Sequence, residues 1–108
     1  MNILFSYHGN ILGSLTFDGK NYCYNSVPEG EAAAKQMSFG LIPYRLYNSQ
    51  ELKSDKLFDE FKVWLHYSSR NDVKNLCEIN ELDSDWDKLV KMAKHELKSD
   101  GFSLKLAQ

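Results

Sequence analysis

Residues 2–25 carry an alternation of side chains that constrains the fold more than any other feature of the chain. Every second residue of Ile3–Tyr7 is large and apolar or aromatic, which is the pattern of a half-buried β-strand. Gly9-Asn10 and Asp18-Gly19 follow at hairpin spacing, and both pairs favour the positive φ angles of tight turns. The sequence therefore predicts a three-stranded antiparallel meander. Its strands are residues 3–8, 11–18 and 21–25.

Apolar residues return at helical spacing in the second half of the chain. Ser54 is the predicted N-cap of a first helix, because its hydroxyl can accept a hydrogen bond from a backbone N–H of the first turn. The apolar stripe of this helix is Leu57, Phe58, Phe61, Trp64 and Leu65. A shorter helix is predicted from Asp72 to about Ile79. Its apolar face is Val73, Leu76 and Cys77.

A third helix and a closing strand are predicted in the last part of the sequence. Ser84 and Asp87 approximate a capping box, and Gly101 stands where a left-handed residue would end the helix. The helical stripe is Trp86, Leu89, Val90, Ala93 and Leu97. Residues 102–106 then alternate between large apolar and smaller or polar side chains, which predicts a strand that pairs back onto the sheet.

The patterns between the meander and the first helix are weaker. They predict a short helix over residues 29–37, a short strand over 38–42 and a loop over 44–50. Taken together, the patterns predict one α+β domain over residues 1–108. In this domain a small antiparallel β-sheet (N-terminal meander plus C-terminal strand) is packed with two or three helices.

Composition and charge restrict the classes of function. Apolar residues make up 43% of the chain and charged residues 26%, as in globular proteins. The net charge is −2 and the 13 basic residues are scattered, so we predict no direct nucleic-acid binding, which needs a concentrated basic face. No stretch approaches the roughly 20 apolar residues that span a bilayer, and no signal peptide is predicted. Because two cysteines are too few for a disulfide framework, we expect a cytoplasmic protein without membrane contact.

No recognisable catalytic or ligand-binding motif occurs, and we expect no catalytic residue, cofactor or metal site. His8, His66 and His95 are not at metal-ligand spacing. Cys77 lies on an apolar helical face without a nucleophile signature, which favours packing. The alternating acids of residues 83–87 lack the glycine and glutamate of a calcium loop, and the dipole of the helix they open explains them better. A hydrolase with a Cys77–histidine site assembled in space is the enzymatic alternative.

Two groups of aromatic and basic residues are candidates for binding another protein, because Tyr, Trp and Arg are enriched at the energetic centres of interfaces. The first group is in the predicted loop: Tyr44, Arg45 and Tyr47. The second is at the end of the first helix: Trp64, His66, Tyr67 and Arg70. Each group has a structural alternative, since the tyrosines can fold onto the sheet and the helical stripe favours burial of Trp64. A projecting helix end would instead insert into a cleft of the partner.

The order of several short motifs resembles the N-terminal subdomain of HipA-type toxin kinases, over nearly the whole chain. Gly13-Ser14-Leu15 is similar to the family's strand motif, and the aromatic pair Tyr22-x-Tyr24 follows it. The further motifs are residues 38–43 (SFGLIP), 54–61 (SDKLFDEF), 86–89 (WDKL) and 101–104 (GFSL). The chain departs from the family at residues 64–67, where the family continues with Leu-Leu-Pro, and it matches the acid and glycine near the closing strand only in part.

The resemblance implies a function like that of HipS, the free-standing form of this subdomain in HipBST toxin–antitoxin systems. The kinase chemistry then belongs to a separate HipT-like serine/threonine kinase, and this chain packs on the kinase N-terminal lobe near its glycine-rich ATP loop. The implied role is that of a non-catalytic antitoxin that binds and neutralises the kinase, beside a DNA-binding HipB-like protein. A phage-type inhibitor of a host defence complex is the alternative, because size, acidity and the missing catalytic motifs fit it as well.

Overall fold

A six-stranded antiparallel sheet is formed by the part of the chain that the computed structural model describes, which is residues 1–30, 32, 46 and 51–107. The strands are β1 Ile3–Tyr7, β2 Asn10–Phe17, β3 Tyr22–Ser26, β4 Leu52–Ser54, β5 Lys98–Ser99 and β6 Phe102–Leu106. Their order across the sheet is β4-β3-β2-β1-β6-β5. The predicted meander is confirmed, and the closing strand pairs with β1 as expected, with Phe5 opposite Leu104.

The turns of the meander differ in detail from the prediction. Positive φ angles fall on His8 (49°) and Gly9 (84°), one residue earlier than the predicted pair. In the second turn Gly19 alone has a positive φ. There the Asp18 carboxylate accepts hydrogen bonds from the backbone N–H groups of Lys20 and Asn21, at 2.8 and 2.7 Å, and these bonds lower the pKa of Asp18. This turn is therefore held by an aspartate side chain and is longer than a two-residue hairpin loop.

Three helices follow β4: α1 Asp59–Ser68, α2 Asn71–Cys77 and α3 Asp85–Lys94. Residues 28–30 and 32 are also helical, and this helix begins one residue before the predicted segment 29–37. The rest of that segment, the predicted strand over 38–42 and most of the predicted loop over 44–50 lie outside the described residues. The α+β prediction, an antiparallel sheet packed with helices, is confirmed.

Two predicted helix ends are wrong, because strand pairing extends into both segments. Ser54 is not an N-cap: it ends β4, which pairs with β3, and α1 begins only at Asp59. Gly101 does not end α3, which closes at His95. Instead Asp100 and Gly101, with φ angles of 53° and 87°, form the turn of a β5–β6 hairpin. An Asp-Gly pair with two positive φ angles is typical of type I′ hairpins.

The helical stripes are confirmed only in part. Leu57 and Phe58 are buried but precede α1, and Leu97 follows the end of α3. Ser84 accepts a hydrogen bond from the backbone N–H of Asp87 at 3.1 Å, which is half of the predicted capping box. In α2, Val73 and Cys77 are buried, whereas Leu76 is 57% exposed and does not belong to the core. Because α2 has only seven residues, it buries one narrow face, and Leu76 lies outside that face. No helix within the described residues has the length and apolar character needed to cross a membrane.

Aromatic rings connect α1 to the middle of the sheet. Phe61 of α1 packs edge-on against Phe5 of β1, with ring centroids 5.2 Å apart, and lies 5.6 Å from the ring of Tyr24 of β3. Phe5 also stacks on Phe102 of β6 at 5.3 Å. The core lies between the sheet and its helices: α1 contributes Phe61 and Trp64, and α3 contributes Leu89, Val90, Met92 and Ala93, all of them buried.

Tyr24 joins the sheet to a distant part of the chain. Its side chain is fully buried, and its hydroxyl donates a hydrogen bond to the backbone carbonyl of Leu46. To reach Leu46 the tyrosine passes over Gly13 of β2, and a Cβ atom on Gly13 would come within 2.5 Å of the Tyr24 ring and of the Asn25 carbonyl oxygen. The absence of a side chain at residue 13 therefore makes room for this hydrogen bond.

We predict that Gly13→Ala lowers the free energy of unfolding by about 1–3 kcal/mol, the usual effect of overpacking a core. The added methyl group has to displace the Tyr24 ring or a strand of the sheet. Urea unfolding followed by circular dichroism measures the change. Ser14→Ala, on the half-exposed neighbouring residue of the same strand, is the control and should stay within about 0.5 kcal/mol of the original protein. Equal effects of the two substitutions would contradict the close approach at Gly13.

Candidate partner-binding site

An apolar groove runs between α1 and the β5–β6 hairpin, and we call it the α1 groove. Its volume is about 220 Å³. The described residues that line it are Phe5, Leu46, Glu60, Val63, Trp64, Tyr67, Ser99, Asp100 and Phe102. Phe5, Leu46 and Trp64 are buried, whereas Val63 is 46% exposed. The groove therefore has an apolar floor that belongs to the core and a side that is open to solvent.

The helical period of α1 places its side chains in the groove. Val63 and Trp64 each lie three or four residues from both Glu60 and Tyr67, so the four side chains lie along one side of the helix. The opposite side of the groove comes from the hairpin, whose tight turn at Asp100 and Gly101 brings Ser99 and Phe102 together. The groove thus exists only when α1 and the hairpin are both in place.

Tyr67 connects the two sides of the α1 groove. Its phenolic oxygen accepts a hydrogen bond from the Ser99 hydroxyl at 2.7 Å. Its ring meets the Trp64 indole nearly edge-on, with centroids 5.8 Å apart and planes 68° apart. Because an edge-on aromatic pair is favourable and the hydroxyl contact crosses to β5, Tyr67 is held in one position.

The predicted helix-end residues are only partly brought together. Trp64 and Tyr67 line the α1 groove, but His66 is exposed and lies outside it. Arg70 is exposed and pairs with Asp72 through two hydrogen bonds, of 3.2 Å from Nε and 3.0 Å from Nη2. A surface that joins all four residues is therefore not formed.

Among the candidate contact residues, Trp64 lies in the core and does not project into solvent. Its side chain is only 2% exposed, so the helical stripe predicts its burial correctly, and the indole does not project from the end of the helix. A partner bound in the groove would contact the edge of the Trp64 indole, and the indole would not insert into the partner. The residue that α1 exposes beside it is Val63, which the sequence reasoning did not select.

Tyr44, Arg45 and Tyr47 lie outside the described residues. Leu46, between them in sequence, is described: it is buried, and it lines the α1 groove. The candidate loop and the candidate helix thus share one described contact region. No sequence pattern indicated this role for Leu46, because a leucine carries no distinctive chemistry beside two tyrosines and an arginine.

The described side chains that were considered as a nucleophile or as metal ligands have structural roles. Cys77 is buried, and burial raises the pKa of its thiol, which disfavours the thiolate that a nucleophile needs. The Asp83 carboxylate accepts hydrogen bonds from the Lys91 ammonium at 2.7 Å and from the backbone N–H of Asn80 at 2.9 Å, and both bonds lower the pKa of Asp83. It thereby ties the α2–α3 connection to α3. The described part of the chain holds no group of three or more side chains suited to a metal ion.

Comparison with known proteins adds no relative. No family model, no curated protein and no solved structure matches this chain. The likeness to HipA-type kinases therefore depends on the order of short motifs in the sequence, and any function inferred from it is a proposal.

We predict opposite outcomes for alanine at two adjacent residues of α1. Trp64→Ala should lower the free energy of unfolding by about 3–5 kcal/mol, since it removes a large buried side chain and leaves a cavity. Val63→Ala, one residue earlier on the exposed side, should change it by no more than about 0.5 kcal/mol. Chemical denaturation of both variants provides the test. A Trp64→Ala protein as stable as Val63→Ala would show that the indole is not part of the core.

Proposed function

We propose that this protein is a non-catalytic antitoxin-type protein, which binds and neutralises a HipT/HipA-like serine/threonine kinase in the cytoplasm. A DNA-binding HipB-like protein is the proposed third member of the complex. The order of the motifs along the chain supports the class of partner. The α1 groove is the observation that carries the proposal, because it gives a chain without a catalytic motif a defined place to hold another protein.

The physical argument starts from what an interface needs. A few buried side chains supply most of the binding free energy, and they sit in pockets that exclude water. The α1 groove has such a pocket beside the exposed side chain of Val63. Its floor is part of the core, so a partner's side chain meets a surface that is already ordered. A preformed surface lowers the entropy cost of association.

Neutralisation requires no reaction by this chain. A protein that packs on the N-terminal lobe of a kinase, near the glycine-rich loop over the ATP phosphates, can hold the lobe in a conformation that does not transfer phosphate. Catalytic groups then remain with the kinase, and the contribution of this chain is the free energy of binding.

The test uses a purified HipT-like kinase from the same genome, together with two charge-introducing variants. Val63→Glu puts a carboxylate at the mouth of the α1 groove, and we expect binding at least about tenfold weaker, since the charge loses hydration without gaining a partner. Leu76→Glu is the matched control: it also replaces an exposed aliphatic residue on a helix, but it lies outside the groove. Its affinity should stay within about twofold of the original.

Isothermal titration calorimetry measures the affinities, and the autophosphorylation rate of the kinase reports neutralisation. Circular dichroism and urea unfolding verify that both variants remain folded. The proposal fails if no complex forms, or if the kinase keeps its full activity when saturated with this protein. Equal weakening by both variants would instead remove the α1 groove from the interface.

A further inference from the structure

Two serines are buried in the part of the chain that the structure describes, and they differ in what their hydroxyls contact. Ser68 is 2% exposed, and its hydroxyl donates a hydrogen bond to the backbone carbonyl of Leu65 at 2.6 Å. Ser6 of β1 is 8% exposed, and its hydroxyl makes no hydrogen bond to any described residue. Because a buried polar group without a partner costs free energy, such a group indicates that a molecule outside the chain supplies the missing bond.

Ser6 lies in an open cleft on the face of the sheet that is opposite to α1. Successive side chains of a strand point to opposite faces, so Ser6 points away from the core to which its neighbour Phe5 belongs. We call this cleft the β1–β6 cleft, and its volume is about 640 Å³. Its lining includes Ser6, Ser103 of β6 and Lys98 of β5.

The strand register places these three residues in one row. Ser6 is directly opposite Ser103, and Ser103 is directly opposite Lys98. Opposite residues of antiparallel strands share a face of the sheet, with Cβ atoms about 5 Å apart. Two hydroxyls and an ammonium group are therefore neighbours, and each of them can donate a hydrogen bond.

The donors of this row are available to a ligand. Neither the Ser103 hydroxyl nor the Lys98 ammonium has a hydrogen bond or an ion pair with a described residue. The Glu96 carboxylate also lines the cleft, but it lies 3.5 Å from the Lys105 ammonium and is already paired. Three adjacent donors select a ligand with several acceptor oxygens on one atom, and a phosphate group has three such oxygens.

From this row of donors we infer that the β1–β6 cleft binds a phosphate monoester. Ser6 and Ser103 donate hydrogen bonds to two of its oxygens, and Lys98 donates a charge-assisted hydrogen bond to the third. The cleft is much larger than the roughly 30 Å³ that one water molecule occupies in the liquid, so the organic group that carries the phosphate also has room. The inference is independent of the proposed function, because Phe5 in the α1 groove and Ser6 in this cleft lie on opposite faces of the sheet.

The experiment titrates the complete ¹⁵N-labelled protein at constant ionic strength and follows the backbone amides by NMR. The probes are inorganic phosphate, a blocked phosphoserine and the same blocked serine without phosphate. We expect saturable shifts at Ser6, Lys98 and Ser103 with the first two probes, with dissociation constants of about 1 mM or lower, and none with the third. Tighter binding of the phosphoserine would identify a phosphorylated side chain as the source of the phosphate, whereas equal affinity would identify a small phosphate compound.

Ser6→Ala should weaken binding without destabilising the protein. Phosphate affinity should fall about tenfold, since a hydrogen bond to a charged group is lost. The thermal midpoint should stay the same or rise, because the substitution removes a buried hydroxyl that has no partner in the described part of the chain. Ser68→Ala is the matched control: it removes a buried hydroxyl that does have a partner, so the midpoint should fall while phosphate affinity stays unchanged.

Lys98→Gln tests the charge-assisted hydrogen bond. Phosphate affinity should fall about two- to fivefold, the size of an exposed ion pair. Lys53→Gln is its control, since Lys53 is an exposed lysine of β4 that does not line the cleft, and it should leave the affinity unchanged.

Four outcomes overturn the inference. They are shifts that do not saturate at the three residues of the row, equal shifts with the unphosphorylated serine, undiminished phosphate affinity of Ser6→Ala, and a marked fall in the thermal midpoint of Ser6→Ala. The last result would show that the Ser6 hydroxyl has a partner inside the protein.

Discussion

The contact between Phe61 of α1 and Phe5 of β1 is the interaction on which the rest of the structure depends. Phe5 lies on a strand paired on both sides, and its ring meets Phe61 at 5.2 Å and Phe102 at 5.3 Å. The Phe5 side chain therefore packs against both α1 and β6, and it also forms part of the floor of the α1 groove. Aromatic pairs contribute about 0.5–1.5 kcal/mol beyond the area they bury, so this junction is stable enough to define the shape of the groove.

Two tyrosine hydroxyls extend this junction to parts of the chain that are far apart in sequence. Tyr67 joins α1 to β5 through Ser99, and Tyr24 joins β3 to Leu46. A tyrosine hydroxyl is protonated at neutral pH, and burial raises the pKa of Tyr24 further, so this hydroxyl remains a donor into the alkaline range. Both sides of the groove are thus held in place within the folded chain, and a partner would meet a preorganised surface.

A surface of this kind fits a protein that works through binding. The groove is small and its floor is continuous with the core, as in the pockets that receive anchor residues at interfaces. Leu46, the one described residue of the predicted loop, lies in the groove together with Trp64 and Tyr67 of α1. Of the candidate residues that the structure describes, Trp64 and Tyr67 line the groove, whereas His66 and Arg70 do not, and Val63 is the exposed apolar residue beside them.

The sequence alone determined the meander, the closing strand and the apolar stripes of the helices, because each of these patterns is local and repeats with a fixed period. It did not determine β4 and β5, since strands of three and two residues are too short to show a period and exist through pairing with β3 and β6. The Asp-Gly pair at residues 100–101 was a turn signal, but the helical pattern before it concealed the hairpin. Only the tertiary structure decided the α1 groove, because its two sides come from residues more than thirty positions apart in sequence. A cavity depends on how elements pack together, and no local pattern encodes that packing.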